Sequence, residues 1–212
     1  MTAGQARPQR GHRWFAACWQ WMVDHEPRNI KKLREELVTP ASGRVLEVGC
    51  GNGGNFPFYT AAASVVAIDP DPYMLERARH RLASLDRPVE IRQAAAEELP
   101  FEDASFDTVV CTAVLCTVRD PARSLAEMRR VLVPGGRYIF FEHVRDNNRV
   151  GALWQNLMSP IWRWLGAGCR PNQDTQRFIE AAGFRIQELE RLNPSPPGDP
   201  TRPCIKGLAL RD

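Results

Sequence analysis

Residues 44–55 read Arg44-Val45-Leu46-Glu47-Val48-Gly49-Cys50-Gly51-Asn52-Gly53-Gly54-Asn55. Val45 to Val48 have the length and apolar character of a short buried strand. A glycine cluster follows at once. A strand that ends in glycines and turns toward a helix makes an anion or nucleotide site. Glycine lets the backbone turn tightly at positive φ and leaves no Cβ between backbone and ligand.

The glycines allow two ligands. Gly49, Gly51 and Gly54 fit G-x-G-x-x-G, the dinucleotide fingerprint. Gly49, Gly51 and Gly53 equally fit the G-x-G-x-G turn of enzymes that use S-adenosylmethionine (SAM), which an acid usually precedes by two residues. Glu47 is that acid. A carboxylate here suits a ligand carrying an ammonium and a sulfonium and would repel a pyrophosphate.

Outward from this turn, Ser64 to Asp69 reads as a second strand. Asp69 lies 20 residues past Gly49, where nucleotide-binding folds place an acid to accept the ribose hydroxyls. Pro70 follows it, and a strand-end turn acid before proline is the bland alternative. Residues 72–84 form an amphipathic helix whose Met74 could touch an adenine ring or pack in the core. Val89 to Arg92 is a third strand. The loop Ala94 to Phe101 would pass the ligand's base. Thr108 to Thr112 is a fourth strand, and its continuation 113–118 is an apolar loop or short helix. Asp120-Pro121 opens a helix, with Asp as cap and Pro in its first turn. Pro134-Gly135-Gly136 ends it, and Arg137 to Val144 is a fifth strand. Asn55 to Tyr59 is expected to begin the helix after the glycine turn. Residues 146–170 are polar and then aromatic-rich, with a flexible break at 166–170. A helix over 174–182 and strands over 184–192 and 204–210 complete the chain. Strand and helix alternate, which predicts a Rossmann-like, doubly wound, mostly parallel seven-stranded α/β sheet with helices on both faces.

Before the first strand, residues 13–38 read as two helical pieces broken near Pro27. Trp14, Cys18, Trp21 and Met22 recur at helical spacing. This segment packs on the core, covers an apolar substrate as a lid, or rests on a membrane as an interfacial foot. The reading divides the chain into an N-terminal helical extension (1–43) and a ligand-binding domain (44–212), with residues 1–12 polar and mobile.

The chain of 212 residues is long enough for one domain with a full core. Its 28 basic and 25 acidic residues leave a net charge of +3, too mild to imply a nucleic-acid partner. Six cysteines form no C-x-x-C pair and match no zinc spacing, which predicts no metal. Cys50, Cys111 and Cys116, in apolar or glycine-rich segments, read as buried thiols of a reducing compartment, hence a cytoplasmic protein. The apolar run Trp14 to Val23 is about half the ~20 residues a membrane span needs. No small-residue cleavage site follows it, which argues against a signal peptide.

The ordered set V-L-E-V-G-C-G-N-G, A-I-D-P, A-E-E-L-P-F-E-D-A-S-F-D and V-L-V-P-G-G resembles class I SAM-dependent methyltransferases, especially the branch called methyltransferase domain 11. That likeness covers about residues 44–144. Val114 to Val118, Glu142-His143-Val144, Gly168-Cys169 and Glu180 to Phe184 further resemble the methyltransferase-like family whose animal members methylate alkyl thiols. Those members share an N-terminal hydrophobic anchor, where this chain has only its Trp-rich segment.

The resemblance implies SAM as cofactor, with S-adenosylhomocysteine as its product. Glu47 would organise the turn and the methionine ammonium. Gly49, Gly51 and Gly53 would approach the methionine moiety, and Asp69 the ribose. Ala96 and Glu97 would flank the adenine, and Thr112 and Leu115 the ligand's centre. Many relatives have Asp where this chain has Ala95, so adenine contact would rest on backbone groups or on Glu97. His143, at the end of strand five, is the histidine placed to act as a base; a strand-end histidine bonded to backbone is the alternative. Trp14, Trp21, Cys116, Trp154 and Met158 mark an apolar acceptor pocket, or else pack in the core. A small lipophilic acceptor follows, a thiol by preference. An amine or hydroxyl on a phospholipid headgroup or aromatic natural product is the alternative, as is a SAM-binding regulator without turnover.

Overall fold

The computed structural model describes residues 11–85 and 87–212. Of the segment expected to be mobile, residues 1–10 lie outside the described residues.

Two N-terminal helices, α1 (Arg13–Asp24) and α2 (Arg28–Val38), precede the sheet. Its strands are β1 (Gly43–Val48), β2 (Ala62–Asp69), β3 (Val89–Gln93), β4 (Phe106–Thr112), β5 (Leu132–His143), β6 (Phe184–Leu192) and β7 (Cys204–Arg211). Between them run α3 (Pro72–Leu82), α4 (Pro121–Val131), α5 (Arg149–Leu165) and α6 (Thr175–Ala181). Among the described residues the sheet has seven strands in the order β3-β2-β1-β4-β5-β7-β6. Only β7 runs antiparallel to its neighbours.

Alternation along the inner strands explains the two faces. Leu46 and Val48 enter one core with Val109, Cys111, Tyr138 and Phe140, covered by Leu125 and Met128 of α4 and Ile179 of α6. Val45, Ala67, Val110 and Ile139 enter the other, covered by Val38 of α2 and Leu75 and Ala78 of α3. A fully buried side chain of this size contributes about 1.5–3 kcal/mol. The chain order reverses between β1 and β4, and in open α/β sheets that point opens a crevice at the strands' carboxyl ends. The glycine turn, Asp69 and Thr112 all sit at those ends.

Side-chain caps fix the entries of α3 and α4, the second of them expected. Asp71 accepts from the Tyr73 amide and Asp120 from the Arg123 amide. Two expectations are corrected, and one stretch without an expected element gains one. The connection after the glycine turn is a single 3-10 turn, Phe56–Phe58, not a helix. Pro57 and the short run to β2 leave no room for more. The helix before Pro134 already ends at Val131; Leu132 pairs with Phe106, and Pro134-Gly135-Gly136 loops out before Arg137 pairs with Thr108. The stretch 149–165 is one 17-residue helix, with Asn148 as its cap. Its buried face is made of Ala152, Gln155 and Ser159, while Leu153, Leu157, Ile161 and Trp164 face outward. Gln155 anchors it, its side-chain nitrogen lying 2.9–3.0 Å from the carbonyls of Val144, Pro171 and Pro200. Among the described residues, no helix is long and apolar enough to cross a membrane.

Candidate active site

Gly49, Gly51 and Gly53 have φ of 70°, 53° and 76°, the left-handed region that a side chain resists. At Gly49 contact is as limiting as conformation, since a Cβ there would lie 2.4 Å from a Val114 methyl. The turn is closed by Cys50 N donating to Ile68 O at 2.9 Å and Gly53 N to Cys50 O at 2.9 Å.

Two buried carboxylates flank it. Asp69 Oδ2 accepts from Gly51 N at 3.0 Å and Oδ1 from Asp71 N at 2.8 Å. Burial still outweighs those donors and pushes the carboxyl up to about 6. Glu47 Oε1 accepts from Asn55 Nδ2 at 2.7 Å, while buried Oε2 has no partner in the protein. Burial pushes Glu47 up to about 7. Asn55 Nδ2 also lies 3.1 Å from Thr112 Oγ1, and its carbonyl accepts from Arg34 at 3.0 Å; Arg34 in turn pairs with Glu26 at 2.8 Å. This chain of contacts ties α2 to the floor of the turn.

The methionine end of SAM fits these residues. An ammonium would give the unpartnered Glu47 oxygen its missing donor, and the open glycine backbone leaves room beside it. Asp69 keeps lone pairs for hydroxyl donors beyond the two amides it accepts.

Helix α1 lies over the turn. Trp19 Nε1 would be 3.5 Å from a Cβ on Gly51, and Asn52 Nδ2 donates to Gln20 Oε1 at 3.0 Å. Asp24 pairs with Arg81 of α3 at 2.6 Å. A cavity of about 400 Å³ between α1 and α3 is lined by Gln20, Asp24, Arg77, His80, Arg81 and Ser84. Trp14 and Trp21, expected in an acceptor pocket, are 90% and 63% exposed on the opposite face. The helical turn explains this: they stand seven residues apart on one face, and Trp19 lies on another.

The remaining expected residues divide. Ala96 and Met74 are buried; Pro70 is half-buried, its carbonyl accepting from Gln93 at 3.0 Å. Glu97 Oε1 is taken by Arg119 N at 2.9 Å, which anchors the 94–101 loop on the residues before α4. Leu115 is a core side chain. Trp154 donates to Gly198 O at 2.9 Å and lines a separate cavity of about 430 Å³ between α5 and the 193–203 loop. Met158 is half-buried on the same helix. The structure therefore does not bring Trp14, Trp21 and Trp154 into one pocket with Cys116.

Beyond β4 the chain is shaped by a residue the sequence reading quoted but gave no role. Ala113 takes φ of 57°, and the next three amides converge on the buried carboxylate of Glu142. Val114 N and Leu115 N donate to Oε1 at 2.9 Å each, and Cys116 N to Oε2 at 3.3 Å. Burial raises the Glu142 pKa despite these donors. Cys116 Sγ and Cys169 Sγ then lie 3.4 and 3.5 Å from the same atom, His143 Nδ1. Cys116 is raised, chiefly by bonding to Cys169, and Cys169 is lowered, first by Cys116 and then by His143. Burial pulls the imidazole down, but Cys169 and Glu142 outweigh it and the net shift is upward. No local pattern announces this cluster, because its members stand 26 and 27 residues from His143 on either side.

A doubly wound sheet with a glycine turn, a strand-end acid on either side of it and an apolar loop after β4 defines a SAM-dependent methyltransferase. Comparison with known proteins agrees. Residues 46–140 match the family described as Methyltransferase domain. The chain is 38% identical to thiol S-methyltransferase TMT1B of Homo sapiens, covering 92% of this chain and 89% of that protein. It is 34% identical to thiol S-methyltransferase TMT1A of Homo sapiens, over 93% and 83%. A solved SAM-dependent methyltransferase of Thermotoga maritima superposes with a TM-score of 0.70 at 20% identity, over 95% of this chain and all of that one, a likeness of fold. The chain belongs to the SAM-dependent methyltransferase family that includes TMT1A and TMT1B.

Proposed function

We propose that this methyltransferase transfers the methyl group of SAM to the sulfur of a small lipophilic thiol. The observation that carries the reading is the 38% identity to a thiol S-methyltransferase, because the alignment spans 92% of this chain and 89% of that protein. When bound, SAM supplies an electrophilic methyl on a sulfonium, so the protein's work is to position, desolvate and manage one proton.

Glu47 holds the ammonium, and Gly49, Gly51 and Gly53 let the backbone lie against the methionine chain. Asp69 takes the ribose hydroxyls. Pro70, Met74, Ala96 and Glu97 would border the adenine; Glu97 Oε1 is engaged by Arg119 and its carbonyl by Arg123, which leaves Oε2 open. Thr112 and Leu115 border the centre of the ligand. Helix α1 serves as the lid, through Trp19 and Gln20. His143 Nδ1 already faces two sulfurs, which leaves Nε2 as the nitrogen through which the imidazole would take a proton. A cysteine thiol, with a pKa near 8.5, is only a few per cent ionised at about pH 7, and a plain alkyl thiol is a weaker acid still, so something must favour the thiolate.

Calorimetric titration with SAM and S-adenosylhomocysteine, on the wild type and Asp69→Ala, tests the cofactor half. Turnover is read as S-adenosylhomocysteine released on adding an alkyl thiol. Saturable binding lost in Asp69→Ala, with thiol-dependent release, supports the reading; wild-type protein that binds neither ligand sinks it.

A further inference from the structure

Cys116, His143 and Cys169 come from three separate segments: the loop after β4, the last residue of β5 and the loop after α5. Their donor atoms all lie within 4.8 Å of one another. We propose that they form a binding site for a thiophilic divalent cation of the zinc class, with a fourth position that takes the acceptor thiol as thiolate. The second half rests on the thiol-methylation reading above; the first does not.

Spacing is the first argument. With Zn–S near 2.3 Å and Zn–N near 2.05 Å at tetrahedral angles, sulfur and nitrogen stand about 3.6 Å apart. Here both sulfurs are 3.4–3.5 Å from one nitrogen. Without an ion, a Cys116–Cys169 contact and the imidazole nitrogen hold the three groups together, and one nitrogen, with either one hydrogen or one lone pair, serves only one of the two sulfurs at a time. A cation between the three atoms would satisfy all of them.

The ligands are also held before any ion arrives. Cys116 N is fixed by Glu142 and its carbonyl accepts from Arg170 N at 2.7 Å. Thr175 Oγ1 donates to the His143 carbonyl at 3.3 Å, and Cys169 N donates to Gly166 O at 3.0 Å. Two sulfurs and an imidazole select zinc-like ions over magnesium or calcium. Three protein ligands mark an open site; structural zinc sites have four. Cys204 is the neighbour of His143 in the sheet, but its thiol donates to Thr201 O at 3.3 Å and is engaged elsewhere. The loop carrying Cys116 also carries Val114, whose side chain packs on Gly49, so cluster and glycine turn share one segment.

The chemistry balances simply. An incoming thiol displaces water from the fourth position, its S–H bond breaks, the proton passes to solvent and a sulfur–metal bond forms. A coordinated thiol is ionised at neutral pH, which supplies the thiolate a free thiol lacks. The thiolate sulfur would bond to the methyl carbon as the sulfonium–methyl bond breaks and S-adenosylhomocysteine leaves; the product is a neutral thioether, a weaker ligand, and water replaces it.

The test uses the purified full chain, stripped with chelator and titrated with Co²⁺ and Zn²⁺. One equivalent of Co²⁺ is expected, with sulfur-to-cobalt charge-transfer bands in the near ultraviolet. Cys169→Ser should keep at most the weaker bands of the single Cys116 sulfur and bind at least 100-fold more weakly, whereas Cys204→Ser keeps the full bands. Because a buried cysteine variant can misfold, the wild type's thermal midpoint is also read with and without Zn²⁺, and a rise is expected. Adding an alkyl thiol should intensify the charge-transfer bands. No charge-transfer band, or no Zn²⁺-dependent rise, overturns the site. A cobalt spectrum blind to thiol overturns the open position. Thiol methylation measured separately on chelated and Zn²⁺-loaded protein separates the two failures: equal, unimpaired turnover refutes the metal's role and leaves the thiol reading standing, and no methylated thiol in either refutes the thiol reading.

Discussion

Glu47→Gln removes one charge from the floor of the glycine turn and should move stability and affinity in opposite directions. Burial pushes Glu47 from an ordinary 4.5 up to about 7. A carboxyl raised on folding holds its proton in the native state at pH values where the unfolded chain has released it. Its stabilising contribution is therefore present below about pH 4.5 and lost as pH rises through about 7. The rise in the Glu47 pKa corresponds to about 3 kcal/mol. Asp69 shifts in the same direction, up to about 6, so the wild type alone would not isolate Glu47. Glutamine does not titrate and keeps a carbonyl for Asn55. Denaturant unfolding of the ligand-free protein at pH 5, 6, 7 and 8 should show the variant gaining on the wild type as pH rises, by about 2–3 kcal/mol at pH 8. Calorimetry at pH 8 should show the reverse for SAM. Losing a charge-assisted bond of about 1.5–3 kcal/mol weakens binding roughly 10- to 100-fold. Stability curves that run parallel from pH 5 to 8, or undiminished SAM affinity in the variant, would refute the assignment of Glu47 to the ammonium.

Gly49→Ala should destabilise the fold by about 2–4 kcal/mol in denaturant, combining left-handed strain with the Val114 contact. Gly135→Ala, also at positive φ but with open space around it, should cost only the strain. Trp19→Ala should weaken SAM binding several-fold by calorimetry, while Trp21→Ala, on the exposed face of α1, should leave it within twofold. Glu142→Gln replaces one accepting oxygen beneath the three amides of 114–116 with an amide nitrogen, and should cost about 1–3 kcal/mol in thermal or denaturant unfolding.

The parts of this fold that were legible in the sequence are those where local chemistry and burial agree. Val45 to Val48 could only be a covered strand, and Gly49, Gly51 and Asp69 mark the sheet's carboxyl edge by spacing alone. Asp120 announces its helix because capping is a local bond. Helix α5 was hidden because its residues are reversed: small and polar Ala152, Gln155 and Ser159 face inward, and the leucines and tryptophans point out. An apolar stripe reads as a buried face, so Trp14, Trp21 and Trp154 were expected in a pocket that the fold does not make from them. Trp19, by contrast, is indistinguishable from its neighbours until the helix phase is known. Glu142 and Cys169 act through partners more than 25 residues away. Only the sheet order, which sets β4 beside β5, brings those groups together.

The most direct test supplies the purified protein with SAM carrying a deuterated methyl group and equal concentrations of an alkyl thiol, an alkyl amine and a phenol of matched hydrophobicity. Mass spectrometry then reads which acceptor gains the label. The account predicts the deuterated methyl thioether as the dominant product, lost in Asp69→Ala. Label on the amine or phenol with none on the thiol would contradict it.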